Sequence, residues 1–206
     1  MHYLERLKQM NKSDVIICID MDDTIENLCE AWVDYLNSIH GTNVKYQNVK
    51  EWDMSAAFPT IKREDVYSVL HDTNLYDLIK PKKDAQKYIK KLIEEGFSVY
   101  ICTNTLYSIA EYKFNNVLFN NFPYIDRQNI IITANKHLIC CDFLIDDYEH
   151  NLMGNNAKNK ILFDTPHNRA FNEKEHGMLR TRSWRTIYET IVSYFNEQNI
   201  IDKGRN

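Results

Sequence analysis

The chain is poor in the residues that mark flexible or covalently stapled proteins: five glycines, four prolines and five cysteines among 206 residues, with no Cys-x-x-Cys spacing. No flexible linker, internal repeat or low-complexity tract is present. The cysteines, Cys18, Cys29, Cys102, Cys140 and Cys141, are odd in number, and three lie in or beside apolar runs, so buried reduced thiols fit better than a disulfide framework or a zinc site. No stretch approaches the roughly 20 apolar residues that a membrane span needs. Met1 to Asp14 breaks up its apolar residues with Glu5, Arg6, Lys8 and Lys12 and so lacks the core of a secretory signal. These absences predict a cytoplasmic protein with no membrane partner. A net charge of −4 without a long single-sign block argues against a nucleic acid polymer as partner.

What is present is ordinary globular material, 44% hydrophobic and 26% charged, in a length that suits one core domain plus an insert. Short apolar runs alternate with helix-period segments, which predicts an α/β fold with a parallel sheet covered on both faces. The strand candidates are Val15 to Ile19, Phe97 to Cys102, Ile130 to Ile132, Cys141 to Ile145 and Ile161 to Phe163, giving a sheet of about five. Ala85, Tyr88, Ile89, Leu92 and Ile93 share one helical face that stops at Gly96. A second helix is expected from about Ser108 to Phe119, and a last one carries Trp184, Ile187, Tyr188, Ile191, Val192 and Phe195.

Between Leu28 and Lys80 the alternation fails, because no strong strand follows the first. Ala31, Trp32, Tyr35, Leu36 and Ile39 make a helical face ending at Gly41, and Val66, Val69 and Leu70 make another in Arg63 to His71. The expected organisation is therefore a core over 13–27 and 81–200 with a small helical cap over 28–80, inserted after the first strand.

The chemistry-bearing residues stand at the ends of the predicted strands. Asp20-Met21-Asp22-Asp23-Thr24 follows the first, Thr103-Asn104 the second, Lys136 the third and Asp146-Asp147 the fourth. In open parallel sheets the loops at the carboxyl ends of strands converge on one crevice, so these groups should meet. Aspartate is ionised at neutral pH and can attack phosphorus without a base to activate it, so Asp20 is the candidate nucleophile. Asp22 would protonate the departing oxygen and later accept a proton from water. Attack by one anion on another needs cations. Mg²⁺, which favours a few carboxylates with water and phosphate oxygens, would suit Asp20, Asp22 through its carbonyl, and one carboxylate of the Asp146-Asp147 pair. Lys136 would neutralise a phosphate oxygen and the Thr103 hydroxyl would donate to another. Taken singly, Asp20 and Asp22 could be turn residues, Lys136 a solvated lysine and Thr103 a strand end; order and spacing favour the joint reading.

These four pieces, Asp20 to Thr24, Ile101-Cys102-Thr103, Lys136 and Leu144-Ile145-Asp146-Asp147, resemble the four motifs of the haloacid dehalogenase superfamily of phosphotransferases. Within it, Asp-Met-Asp, the run from Lys136 to Asp147, and Leu162-Phe163 followed by Pro166-His167-Asn168 resemble the 5′(3′)-deoxyribonucleotidases. The resemblance implies a Rossmann-like core, an aspartyl-phosphate intermediate, Mg²⁺ as cofactor, and a small phosphoester, a deoxyribonucleoside monophosphate, as substrate. It favours Asp147 as the direct metal ligand with Asp146 supporting. It puts Trp52 near the nucleotide base, with Leu28 as an apolar wall and Thr103, Asn104 and Lys136 around the phosphate. Two positions depart from the family pattern: Asp23-Thr24 stands where Gly often follows the second Asp, and Asn104-Thr105 where Ser-Pro often follows the motif Thr.

Other readings stay open at this level. The substrate could be a sugar phosphate, or the chain could be a non-catalytic phosphoacceptor, although a receiver has no use for a helical cap or for Asp22. Trp52 and, more so, Trp32 could be core residues. His150, His167 and His176 show no zinc-ligand spacing and are assigned no metal. Arg169, Arg180, Arg182 and Arg185 read as surface residues, with a contact from one of them to substrate phosphate left open. The oligomeric state is left open, a homodimer included.

Overall fold

Strands β1 (Ile16–Ile19), β2 (Ser98–Thr103), β3 (Ile130–Ile132), β4 (Phe143–Asp146), β5 (Asn159–Phe163) and β6 (Leu179–Thr181) pair in parallel in the order β3-β2-β1-β4-β5-β6. The computed structural model that shows this describes residues 10–204; residues 1–9, on which part of the N-terminal expectation rests, lie outside the described residues. β1 is central, with Ile17 opposite Val99 on one side and Phe143 on the other. The chain runs outward from β1 to β2 and β3, then outward again from β4 to β5 and β6. The crevice at the carboxyl ends of β1 and β4 is therefore the switch point of the sheet.

Alternation along the strands feeds two apolar layers. Ile17, Ile19, Val99, Ile101, Phe143 and Ile145 join the larger one. Cys18, Cys102, Leu144 and Leu162 face the other way and pack with Cys141 and Leu152. The buried thiols are free, as their placement in apolar runs suggests.

The sheet has six strands rather than about five. β6 is three residues long and pairs only with β5, Leu162 opposite Arg180, so it sits at an edge and carries no apolar run for a pattern to register. Arg180 on this strand is not a surface residue: its guanidinium bonds Glu173 at 2.8 Å, Asn168 at 2.7 Å and the Phe171 carbonyl at 2.7 Å.

Helix α1 (Leu28–His40) buries Ala31, Trp32, Val33 and Leu36 and stops at Gly41, whose φ of 67° is the left-handed conformation that glycine adopts without steric cost. The short helices α2 (Arg63–Ser68) and α3 (Thr73–Tyr76) follow. The chain enters and leaves this helical segment side by side, through a Glu26–Pro81 bridge and a bond from Lys82 N–H to the Ile25 carbonyl at 2.8 Å. Helix α4 (Ala85–Glu94) buries Ala85, Ile89 and Leu92. The helix expected from about Ser108 is only briefly α-helical, as α5 (Ala110–Tyr112), before it widens into a π-helical stretch, Lys113–Phe119. Helix α6 (Glu149–Met153) follows β4. Along the last helix, α7 (Trp184–Gly204), Trp184, Ile187 and Ile191 are buried, and the Trp184 indole donates to the Thr24 carbonyl at 3.3 Å. No helix among the described residues is long and apolar enough to cross a membrane.

Candidate active site

The backbone N–H of Asp20 donates to the Ile145 carbonyl at 2.8 Å, so the residue after β1 is fixed to the end of β4. Its carboxylate is buried and meets the Lys136 ammonium, which also bonds Asp146 Oδ2 at 2.6 Å. Lys136 arrives on a 3₁₀ turn after β3 and is itself buried. Burial alone would lower its pKa, but the charges of Asp20 and Asp146 outweigh that and the net shift is upward. Asp20 is pushed well above the ordinary carboxylate range by burial, against the pull of Lys136, with Asp146, Asp147 and Asp22 adding repulsion.

The paired acids are held differently. Asp146 is saturated: besides Lys136, its oxygens accept from the Tyr148 N–H at 2.9 Å and from Asn151 at 3.1 Å. Asp147 Oδ2 is buried without a hydrogen-bond partner. His167 Nε2 lies 2.9 Å from it, at ion-pair distance but not aligned for a hydrogen bond, and shares its own contact with Thr165 Oγ1 at 3.0 Å. Burial pushes Asp147 up to about 7, with His167 pulling the other way. One oxygen each from Asp20, Asp146 and Asp147 lies within 4.8 Å of the others. A buried all-oxygen set with an orphaned carboxylate oxygen fits a hard divalent cation.

Asp22 has its own lysine, with Oδ2 accepting from the buried Lys113 ammonium at 2.6 Å and Oδ1 buried without a partner. Beside it Glu26 is wholly buried, both oxygens unpartnered, and is raised well above the usual range by burial and then by the charge of Asp22. Asp23 takes φ 55°, a conformation that Asp tolerates and glycine prefers, which is a physical reason for the family's Gly at this position. Its carboxylate accepts from the Cys29 N–H at 2.9 Å and from Lys82 at 3.1 Å, and so ties the turn to the start of α1.

A cavity of about 440 Å³ is bounded below by Asp20, Asp22, Lys136, Asp146 and Asp147 and at the side by Asn104 and Leu106. The helical segment supplies Leu28, Trp32, Trp52, Tyr67, Leu70 and Tyr76 to the same cavity. Trp52 is 52% exposed and stacks on Tyr148 with ring centroids 4.1 Å apart, and its ring stands at 80° to that of His167. Trp32 is buried, its indole donating to the Val66 carbonyl at 2.9 Å, with part of the ring on the cavity wall. Of the residues expected from the sequence, only Thr103 is absent from this lining; it is fully buried at the end of β2, and its hydroxyl donates to the Asn104 carbonyl at 3.2 Å.

Sequence reasoning passed over Lys113, Glu26, Tyr148 and the position of His167. Tyr148 follows the acidic pair directly, and His167 lies in the Pro166-His167-Asn168 run, so those two had a signal. Lys113, 91 residues from Asp22, had none.

The family model described as "5' nucleotidase, deoxy (Pyrimidine), cytosolic type C protein" matches residues 14–196. The chain belongs to this family. It is a haloacid dehalogenase superfamily phosphatase, a phosphoric monoester hydrolase of the 5′-nucleotidase type. Among curated relatives, a 5'(3')-deoxyribonucleotidase from Clostridium acetobutylicum is 32% identical over 166 residues, covering 81% of this chain and 88% of that protein. One of the same name from Bacillus subtilis is 31% identical over 178 residues, covering 86% and 98%. Among solved structures, a HAD family hydrolase from Deinococcus radiodurans R1, with bound phosphate and sodium, superposes with a TM-score of 0.57 at 12% identity, over 85% of this chain and 93% of that one. That likeness concerns the fold.

Proposed function

We propose that this phosphatase hydrolyses deoxyribonucleoside monophosphates to nucleoside and inorganic phosphate in the cytoplasm, through an aspartyl phosphate on Asp20. One juxtaposition carries the reading: a nucleophile–acid pair, each carboxylate on its own buried ammonium, lies at the floor of a cavity whose roof is aromatic. The names of the curated relatives support the substrate class. The five free cysteines suit a reducing compartment.

In the first half-reaction an Asp20 oxygen bonds to phosphorus as the bond from phosphorus to the ester oxygen breaks, and the departing oxygen takes its proton from Asp22. In the second, water attacks the phosphorus of the aspartyl phosphate and gives a proton to Asp22; the Asp20–phosphorus bond breaks and phosphate leaves. Lys136 stands where it can neutralise charge on the transferring group. Thr103, on turning from the Asn104 carbonyl, and Asn104 itself would donate to the remaining phosphate oxygens. Asp20, Asp147 and the Asp22 carbonyl would hold Mg²⁺, with Asp146 supporting from its bonds to Lys136 and Asn151. The ion would supply positive charge against which one anion can approach another.

Residues 28–80 act in this reading as a cap over a core of 13–27 and 81–200. Leu28 and Trp52 of the cap would enclose the nucleoside, the base lying on an aromatic face. Trp52→Ala should raise KM for a deoxyribonucleoside monophosphate about tenfold, one stacked base's worth of binding, and leave KM for a small sugar phosphate within about twofold. Equal changes for both substrates would detach Trp52 from the base.

The function itself is tested by turnover of purified protein against deoxyribonucleotides, ribonucleotides and sugar phosphates. Deoxyribonucleotides should exceed sugar phosphates by about tenfold or more in kcat/KM, EDTA should stop turnover and Mg²⁺ should restore it. Sugar phosphates turned over as well as nucleotides would refute the substrate assignment.

A further inference from the structure

Two buried lysines serve three aspartates at this site. Lys136 is the motif lysine and grips Asp20 and Asp146. Lys113 belongs to no motif, yet its side chain is only 2% exposed and its ammonium lies 2.6 Å from Asp22 Oδ2. Among the described residues it makes no second ion pair. The residue stands where the helix changes type. Lys113 opens the π-helical stretch directly after α5, its N–H bonded to the Ile109 carbonyl at 2.9 Å, and the following turns are clamped by buried Val117 and Leu118. Wide turns of this kind are rare and recur at functional sites. They impose a geometry that an ordinary helix would not give.

An ammonium with only a few per cent of its side chain exposed costs desolvation that a well-aligned partner must offset, so the pair has a use other than stability. Asp22 itself is 24% exposed in its side chain and borders the cavity. A carboxylate so placed can rotate, and proton delivery to a leaving oxygen demands one orientation. We propose that Lys113 is a positioning residue that holds the Asp22 carboxyl toward the ester oxygen, so that it acts on leaving-group protonation and not on phosphate binding. The proposal rests on Asp22 being the acid–base group of the hydrolysis described above.

The test compares two substrates that differ in their need for a proton. A deoxyribonucleoside 5′-monophosphate expels an alkoxide that must be protonated, whereas p-nitrophenyl phosphate expels a phenolate that leaves without one. Lys113→Met should lower kcat/KM, which reports only the steps through leaving-group departure and excludes the water step common to both substrates, on the order of 100-fold for the nucleotide with KM within about threefold, and less than about fivefold for p-nitrophenyl phosphate. Lys113→Arg should recover most of the loss. In an Asp22→Asn background, Lys113→Met should add nothing further, because both changes remove one function. Partial misfolding lowers both substrates alike and leaves their ratio unchanged; if Lys113→Met yields no folded protein, Lys113→Gln gives the same comparison. Equal losses on the two substrates, a rise in KM at unchanged kcat, or full additivity with Asp22→Asn would overturn the proposal. None of these outcomes would touch the nucleotidase reading, which fails only if the unaltered enzyme does not turn over the nucleotide.

Discussion

Asp20→Asn is expected to leave a folded protein whose hydrolysis of nucleoside monophosphates is lower by about 10⁴-fold or more. An amide has the size of the carboxylate but cannot form the mixed anhydride with phosphorus. The fold should persist because the backbone tie from residue 20 to the Ile145 carbonyl does not involve the side chain, and Lys136 keeps Asp146 at 2.6 Å. Stability should respond in a particular direction. Asp20 binds its proton more tightly in the folded chain than in the unfolded one, since burial raises it. Its contribution is therefore fully present below the unfolded carboxylate range and is lost as pH rises through the higher folded value. In metal-free protein, Asp20→Asn removes that loss, so urea midpoints at neutral pH should be unchanged or higher than those of the parent. Activity above a few per cent in this variant, with residue 20 verified as Asn, would remove the nucleophile from the mechanism.

Asp22→Asn should be nearly as damaging, with a loss on the order of 10³-fold, but should fail at different steps. Without a proton donor the ester oxygen leaves poorly, and without a base the water that cleaves the aspartyl phosphate is not activated. On a substrate with a good leaving group only the second defect remains. Acid-quenched Asp22→Asn enzyme given p-nitrophenyl phosphate should thus hold more covalent phosphate than the parent enzyme does. No increase in trapped phosphate, together with an unchanged rate, would assign proton handling to another group; Glu26, buried beside Asp22, is the nearest alternative.

The convergence of these residues on one cavity was legible in the sequence for a physical reason. Asp20, Lys136, Asp146 and Asp147 each follow an apolar run, and a parallel sheet carries the ends of such runs to one edge. Trp52 was ambiguous, since an aromatic in a small helical unit is more often core; in the structure it is half exposed and stacked on Tyr148. β6 and Lys113 left no trace. β6 is an edge strand whose side chains, Leu179, Arg180 and Thr181, alternate without an apolar face. Thr103, expected from the sequence, ends β2 fully buried with its hydroxyl on the Asn104 carbonyl, and Asn104 next to it lines the cavity. Lys113 falls in a segment whose apolar spacing predicts an ordinary helix, and its contact with Asp22 spans 91 residues, which no local pattern records.

Peptide-resolved mass spectrometry of enzyme quenched in acid during turnover of a deoxyribonucleoside monophosphate tests the covalent mechanism most directly. A phosphoryl group found on the peptide spanning Val15 to Ile25 and assigned by fragmentation to Asp20 is the predicted result. Turnover with no covalent phosphate at any quench time, or phosphate on a residue other than Asp20, would contradict it.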